Sequence, residues 1–222
     1  MTRVALIHAL AHAVAPINEA MARDWPEAMR MNLMDDSLSA DLAAGGRGQD
    51  AAMHERFQRL AQYAVDCGSD AILFTCSAFG SCIEAVARRH APLPVLKPNE
   101  AMISDAVACG LRVGLVATFP PTLKSMPAEF PPGAALDWAL AQGALDALNA
   151  GDKALHDEAI VQAALLLAQR GAGVIALAQF SMAGARQRVA ERSGVPVLTP
   201  VDCAVAELRR RLAQKSLKIT NY

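Results

Sequence analysis

Aromatic residues are scarce in this chain of 222 residues, which contains two Trp, two Tyr and six Phe. Apolar residues still make up 53% and charged residues only 19%, so Ala, Val and Leu must fill the core, as in closely packed α/β proteins. The formal net charge is −1 and basic residues are scattered, which argues against a nucleic-acid partner. No run reaches the ~18 apolar residues of a membrane span, so no membrane partner is expected.

Paired cysteines are also lacking. The five cysteines form no CxxC pair, and their spacing to histidine matches no zinc pattern. We therefore expect no metal, and reduced thiols in a cytoplasmic protein. The apolar segment after Arg3 imitates a signal peptide, but two histidines interrupt it and a similar segment recurs later in the chain. This recurrence favours a structural strand over a leader.

The familiar cofactor and catalytic motifs are missing as well. The sequence contains no P-loop, no G-x-G-x-x-G, no H-E-x-x-H and no G-x-S-x-G. Chemistry without a cofactor is therefore the natural expectation, with cysteine as the one strong nucleophile or base.

What the chain does contain is an internal repeat. Residues 68–90 (GSDAILFTCSAFGSCIEAVARRH) and 171–193 (GAGVIALAQFSMAGARQRVAERS) place a glycine, an apolar run, a polar corner and an amphipathic helix pattern in the same order. Each copy is followed by the tripeptide Pro-Val-Leu, at 94–96 and 196–198. The spacing to this tripeptide is one residue shorter in the second copy. The repeat predicts two pseudo-symmetric halves, residues 1–111 and 112–222.

The two copies differ where the chemistry is expected. Aligned without gaps, Cys76 falls opposite Gln179. The neighbouring pairs are Thr75 with Ala178 and Ala78 with Ser181. One thiol where the symmetry offers two positions suggests a one-sided cysteine chemistry.

The hydrophobic pattern of each half reads β-(α)-β-α-β-α-β-α. Continuous apolar strands that alternate with helices predict the α/β fold class, with a mostly parallel sheet flanked by helices in each half. Strands are predicted at 4–9, 29–36, 70–75 and 94–96, and at 113–118, 134–141, 173–178 and 196–198. Helices are predicted at 50–66, 79–90 and 99–109, and at 153–169, 182–192 and 200–213. The last helix of the first half is free to pack on the other half.

Ligands of such sheets bind beyond the carboxyl ends of the strands, and we expect an active-site cleft between the two halves. Cys76 ends the third strand, where the helix dipole and free amides lower a thiol pKa. The flanking hydroxyls of Thr75 and Ser77 could join those amides in holding a carboxylate. A buried structural cysteine is the alternative interpretation, and it is the one favoured for Cys67, Cys82, Cys109 and Cys203.

The corresponding loops of the second half carry four polar candidates. Thr118 and Thr122 bracket a Pro-Pro pair and could bind an anion, cap a helix, or do both. Gln179 cannot act as an acid or base near neutral pH, but its amide can hydrogen-bond a substrate, and Ser181 can do the same.

Histidine is the other candidate for proton transfer. His8 ends the first strand and points into the predicted cleft if the register is right, and His12 lies just beyond it. Asp35 and Asp36 follow the second strand and could approach the cleft or cap a helix. Three further histidines fall on helical patterns and are expected to face solvent: His54, His90 and His156.

With these residues in view, the chain resembles the aspartate/glutamate/hydantoin racemase superfamily. The resemblance rests on the duplicated architecture, the Thr75-Cys76 corner, the VGLVATFPPT segment at 113–122 and the LAQFSMAG segment at 177–184. It implies a cofactor-independent enzyme of two pseudo-symmetric α/β halves, in which Cys76 is the first catalytic cysteine. It also implies a small carboxylate substrate held by Thr75, Ser77, Thr118 and Thr122, and homo-oligomers are the habit of the family.

One departure from that pattern shapes the functional expectation. Racemases of this type use two thiols on opposite faces of a carbon atom, and here Gln179 stands at the second thiol position. Similar enzymes use a single cysteine for decarboxylation, as arylmalonate decarboxylases do with the cysteine of the second half, or for cis–trans isomerisation, as in maleate isomerases. Racemisation with His8 as the second base, isomerisation and decarboxylation all stay open. The alternative is an inactive carboxylate-binding or sensory protein.

The substrate itself does not follow from the sequence. Few basic residues fall at the predicted corners, so amides and hydroxyls would hold any carboxylate. Phe79, Phe119 and Phe180 lie near those corners and could line an apolar pocket, which would favour a monocarboxylate or an aryl- or alkyl-substituted acid. Core packing is the alternative role for each of them.

Overall fold

The computed structural model describes residues 1–44 and 49–220 of the chain. The described chain divides into two compact units. Unit one contains Met1–Pro98 and the chain from Ala204 onward, and unit two contains Asn99–Cys203. The division predicted at 111/112 follows the sequence repeat, whereas the compact units divide at 98/99 and 203/204. The last helix of the first repeat is therefore grouped with unit two, and most of the last helix of the second repeat with unit one.

Unit one is built on a four-stranded parallel sheet with the strand order β2-β1-β3-β4. Its strands are β1 (Arg3–His8), β2 (Met29–Met34), β3 (Ala71–Phe74) and β4 (Val95–Leu96). The segment that imitates a signal peptide thus contributes β1, an interior strand that pairs with β2 on one side and β3 on the other.

Unit two repeats this topology with the order β6-β5-β7-β8. Its strands are β5 (Val113–Ala117), β6 (Leu136–Leu140), β7 (Val174–Leu177) and β8 (Val197–Leu198). The registers also correspond, since Val4 pairs with Ala71 in unit one and Val113 with Val174 in unit two. The predicted α/β class with two similar halves is confirmed.

Ten α-helices flank the sheets within the described residues. They are α1 (Val14–Asp24), α2 (Ser37–Ala43), α3 (Ala51–Asp66), α4 (Gly80–Arg89), α5 (Glu100–Ala108), α6 (Pro120–Ser125), α7 (Ala144–Asn149), α8 (Lys153–Gln169), α9 (Arg186–Ser193) and α10 (Pro200–Thr220). The long helices α3 and α8 begin at the same kind of cap, because the Asp50 side chain accepts from Met53 N and the Asp152 side chain accepts from Leu155 N, both at 2.9 Å. Such caps satisfy amides at the start of a helix that have no partner within it. The short helices α2 and α7 were not predicted.

The core of unit two shows the alternation that a sheet covered on both faces requires. Val113, Leu115 and Ala117 of β5 pack into one apolar cluster, and Val116 packs into the other. Gly114 lies between them, where an added Cβ would come within 2.8 Å of Ile175 Cδ1. Only glycine lets the strand approach its neighbours this closely.

In unit one, an aromatic cluster supports the end of β3. The ring of Phe57 on α3 lies 5.2 Å from that of Phe74 and 5.0 Å from that of Phe79. All three side chains are buried in one apolar cluster with residues of β1 and α4. The two rings that Phe57 contacts come just before and just after Cys76 in the chain, so this packing fixes the corner that carries the thiol.

The prediction that His156 faces solvent is wrong. Its side chain is buried on α8, with 1% of the residue exposed. The burial patterns of α3 and α8 match with His156 at the position of Met53, so the imidazole occupies a core position. Nδ1 is 2.8 Å from Asp157 Oδ1, which supplies one polar partner. His54 and His90 are half-buried.

None of the helices in the described part of the chain combines the length and the hydropathy needed to cross a membrane.

Candidate active site

Cys76 and Gln179 occupy equivalent positions in the two units. The third strands end at Phe74 and Leu177, and Cys76 and Gln179 each lie two residues further along. Both residues have an extended backbone, and each is followed directly by a 3-10 turn. The residue before each is tied to the first strand in the same way, since Thr75 N donates to Ile7 O and Ala178 N donates to Val116 O. The alignment of a thiol with an amide, made from the sequence, therefore corresponds to the fold.

Cys76 is half-buried at the corner that follows β3. Burial raises the pKa of its thiol above the ordinary value, although hydrogen bonds from the Ala78 backbone amide and the Ser39 side chain act in the opposite direction. The sequence led us to expect a lowered pKa at a helix N-terminus. That expectation is wrong because α4 begins only at Gly80, after the 3-10 turn, and the loss of solvent around the sulfur outweighs the two donors.

His8 lies beside this corner but is fully buried, with 0% of the residue exposed. Its Nδ1 is 2.9 Å from Thr75 Oγ1 and its Nε2 is 3.0 Å from Asn32 Oδ1. Burial lowers the pKa of His8, so the imidazole is neutral near pH 7. Both ring nitrogens are therefore engaged within unit one, and the ring orients Thr75.

Thr75 is buried, and its hydroxyl lies within hydrogen-bond distance of His8 and of the Ile7 carbonyl at 3.4 Å. A neutral His8 that donates from Nε2 to Asn32 accepts at Nδ1, so the Thr75 hydroxyl donates inward to the ring. The predicted contact of Thr75 with a carboxylate would require this hydroxyl to turn. Ser77 is half-buried at the start of the 3-10 turn.

The Gln179 amide is oriented by Thr118. Gln179 Oε1 accepts from the Thr118 backbone N–H at 2.7 Å and from the Thr118 hydroxyl at 3.1 Å. A backbone N–H can only donate, so the amide oxygen must face Thr118 and the NH2 group must face the other way. Among the described residues this NH2 has no hydrogen-bond partner in the structure, which leaves two donors for a ligand.

The other predicted residues of unit two follow the ends of β5 and β7. Thr122 is buried on α6, and Ser181 is half-buried in the 3-10 turn after Gln179. Phe79 and Phe180 are buried and pack in the cores of their units, whereas Phe119 is 37% exposed. Core packing therefore describes Phe79 and Phe180 better than a pocket lining does.

Loss of the Gln179 side chain should destabilise unit two. Gln179→Ala leaves the Thr118 backbone N–H without its acceptor, and a buried donor left unpaired costs about 1–3 kcal/mol. We expect a fall of that size in the free energy of unfolding, measured by urea titration. The matched control is Gln187→Ala, because Gln187 is exposed and bonds to Glu191 on its own helix. Equal stabilities of the two variants would contradict this account of Gln179.

Sequence reasoning missed α2, from which Ser39 acts to lower the pKa of the Cys76 thiol against the larger effect of burial. It also gave Asp35 no definite role, and the structure pairs this residue with Arg56 at 2.9 Å. Burial opposes ionisation of Asp35, but hydrogen bonds from Ser37 and Arg56 outweigh it and lower the pKa of the carboxyl group. The missing signal was α2 itself, because a helix of seven residues carries too little periodicity to be recognised in the sequence.

The chain contains two α/β units, each built on a parallel sheet. Each unit has a polar residue after its third strand, a thiol in one and an amide in the other. These features define a duplicated α/β protein with candidate ligand-binding residues at the carboxyl ends of its strands. A family model for Asp/Glu/hydantoin racemases matches residues 9–208, and the chain belongs to this family. No curated protein matches the sequence.

Solved structures of two racemases and of a decarboxylase share the fold at low sequence identity. The allantoin racemase of Pseudomonas fluorescens is 20% identical, with a TM-score of 0.72 over 96% of this chain and 92% of that one. The aspartate racemase of Picrophilus torridus is 12% identical, with a TM-score of 0.73 over 95% and 94%. An unliganded arylmalonate decarboxylase is 15% identical, with a TM-score of 0.61 over 95% and 92%. The neighbours thus include both racemases and a decarboxylase.

Proposed function

We propose that this protein is a cofactor-independent enzyme that acts on a small carboxylate, with Cys76 as its one proton-transferring thiol. The observation that carries the proposal is the equivalence of Cys76 and Gln179 in the two units. An amide neither gives nor takes a proton near neutral pH, and the oxygen of this one is bound to Thr118. Proton transfer by a thiol is therefore confined to one of the two positions.

The environment of Cys76 favours a proton donor. Burial raises the pKa of the thiol, so at neutral pH the resting group is S–H rather than thiolate. Such a group is suited to protonate an enolate carbon. In a decarboxylation the bond between the carboxylate and the α-carbon breaks, CO2 leaves, and the electron pair enters the enolate. The S–H proton then goes to the α-carbon, and the thiolate regains a proton from solvent.

The same reasoning ranks the other reactions of the family. Racemisation needs a second acid or base, and neither Gln179 nor the fully engaged His8 supplies one in this structure. Isomerisation through addition to a double bond needs a thiolate, which burial disfavours. We therefore place one-sided protonation, as in decarboxylation, ahead of both. The candidate carboxylate donors of unit two are the NH2 of Gln179 and the hydroxyls of Thr122 and Ser181, with the Thr118 hydroxyl if it turns. Those of unit one are the Ser77 hydroxyl and, if it turns, the Thr75 hydroxyl.

Protection of Cys76 from alkylation tests this function directly. The protein is treated with iodoacetamide in the presence of substituted malonates, α-amino acids or maleate, and mass spectrometry assigns the label to each cysteine. We expect one class of carboxylate to slow the labelling of Cys76 and to be converted to product. Labelling of the exposed Cys109 in the same sample should not change. Protection without conversion would favour the carboxylate-binding alternative, and no protection by any carboxylate would contradict the site.

A further inference from the structure

The side chain of Gln179 has one acceptor and two donors, and the fold of unit two uses only the acceptor. Oε1 receives the Thr118 backbone N–H at 2.7 Å and the Thr118 hydroxyl at 3.1 Å. Over the described ranges, 1–44 and 49–220, no protein group accepts from the NH2 group of this amide. A structural role as a bridge to Thr118 therefore accounts for the oxygen and leaves the two N–H groups unexplained.

The two bonds from Thr118 also fix which way round the amide lies. A glutamine side chain that rotates freely about its last bond offers a ligand either its oxygen or its NH2 group. In Gln179 the reversed amide would bring NH2 against a backbone N–H, and it would leave the Thr118 hydroxyl without this acceptor. Because a backbone N–H cannot accept, the Gln179 amide is held as a donor-only group on the side away from Thr118.

The threonine belongs to the half of the chain that has the amide, and the half that has the thiol lacks it. Ile7 and Val116 are equivalent, because they pair with the last residues of β3 and β7 respectively. Thr118 lies two residues after Val116, and its counterpart two residues after Ile7 is Ala9. The side chain at the corner and the side chain that orients it therefore change together from one unit to the other.

A donor-only pair of N–H groups selects its ligand by the strength of the acceptor. A carboxylate and the primary carboxamide of the same acid have nearly the same size and shape, but only the carboxylate is ionised at neutral pH. Hydrogen bonds to an ionised group are roughly twice as strong as those between neutral groups. The NH2 group of a carboxamide also repels a donor that it meets, so the carboxylate is favoured on both grounds.

We propose that Gln179 is a specificity-determining residue that selects a carboxylate at the corner of unit two, and that Thr118 is its positioning residue. The inference rests on the proposed function for its class of ligand, and it deepens that function by assigning the carboxylate to one named amide. The position equivalent to the thiol of unit one thus binds an anion and transfers no proton. Donors that are already in place need no reorganisation when the charge arrives.

Gln179→Glu separates this ligand-binding role from the structural one. A glutamate has two acceptor oxygens, so one of them can still receive both bonds from Thr118 and stability is retained. The other oxygen replaces the NH2 group and repels a carboxylate. Gln187→Glu is the matched control, because it makes the same change of charge at an exposed position of α9. Thr118→Val removes the hydroxyl and keeps the backbone N–H, and Thr118→Ser restores the hydroxyl.

The NH2 group of Gln179 reports directly on its own ligand. Its two signals in a proton–nitrogen correlation spectrum are assigned as the pair that is absent from Gln179→Glu. The wild type is titrated with acetate, malonate and maleate, and then with acetamide and malonamide as the uncharged probes. Binding to the variants is followed through the backbone amide signals of the 3-10 turn Phe180–Ala185.

We expect at least one of the carboxylates to shift the two NH2 signals to saturation, and its carboxamide to need a concentration at least about tenfold higher. Gln179→Glu should bind that carboxylate about 10- to 100-fold more weakly, the usual effect of losing a hydrogen bond to a charged group. Its midpoint in a urea titration should stay near that of the wild type. Thr118→Val should weaken binding about threefold to tenfold, and Thr118→Ser should restore most of the loss.

Three results would overturn the inference. They are NH2 signals that no carboxylate moves, equal responses to a carboxylate and its carboxamide, and a Gln179→Glu variant that binds the carboxylate as tightly as Gln187→Glu does. If carboxylates still protect Cys76 from alkylation in any of these cases, the proposed function stands without the inference. If the NH2 signals respond as expected but no carboxylate protects Cys76, the selection by Gln179 is supported and the proposed function fails.

Discussion

Cys76→Ser is expected to reduce turnover of the substrate about 10²- to 10⁴-fold. That range is the usual contribution of a positioned acid or base, and a serine hydroxyl at the same corner is far too weak an acid to replace the thiol near neutral pH. The side chain is nearly isosteric and half-buried, so the fold and the affinity for the carboxylate should persist. The rate is measured under saturating substrate, with the class of carboxylate identified by protection of the thiol.

The control for this substitution is Cys82→Ser, six residues further along. Cys82 is buried on α4, and its sulfur contacts Gln49 Oε1 at 3.8 Å, so it is a structural thiol in this account. We expect a modest loss of stability and little loss of turnover. If Cys82→Ser abolished turnover while Cys76→Ser retained it, the assignment of the reactive thiol would be wrong.

Phe57→Ala is expected to lower the free energy of unfolding by about 3–5 kcal/mol, the usual cost of removing a buried phenylalanine. The ring is 2% exposed and contacts both Phe74 and Phe79. Loss of the Phe57 ring should also loosen the corner after β3, because a cavity would open beside Phe74 and Phe79, which lie on either side of Cys76 in the chain. Denaturant unfolding measures the first effect, and alkylation of Cys76 under native conditions measures the second.

Ile160→Ala provides the matched comparison in the other unit. Ile160 is fully buried on α8, at the position that corresponds to Phe57 on α3. It should cost about 2–5 kcal/mol of stability while the alkylation of Cys76 under native conditions stays unchanged. Equal effects of both variants on the thiol would contradict a specific link between Phe57 and the corner.

Much of the fold could be predicted from the sequence because its strands are short, continuous apolar runs between recognisable helices. The repeat also placed Cys76 opposite Gln179, and the strand registers bear this out. The sequence left the last helix of the first half free to pack on the other half, but it could not fix the boundaries of the compact units at 98/99 and 203/204, since these depend on tertiary packing and not on the order of elements.

The candidate site was less accessible to sequence reasoning. Residue types and loop positions indicated Cys76, Thr118 and Gln179, but not that Gln179 would accept from Thr118. Ser39 escaped notice because it lies on α2, a helix of seven residues that the sequence pattern did not predict. The predicted direction of the pKa shift of the Cys76 thiol was also wrong, because the hydrophobic pattern of a sequence does not show how deeply a single sulfur atom is buried.

The central claim is that a proton reaches the substrate carbon from one face, through Cys76. The measurement that tests it most directly is turnover in D2O, with the configuration and deuterium content of the product analysed together. The account predicts a product with one deuterium at the new C–H bond and a single configuration. It also predicts that the enzyme does not convert the released product to its other enantiomer, since no acid or base acts on the face of the carbon opposite Cys76. A racemic product, or deuterium entering both enantiomers equally, would show a second acid or base and contradict the account.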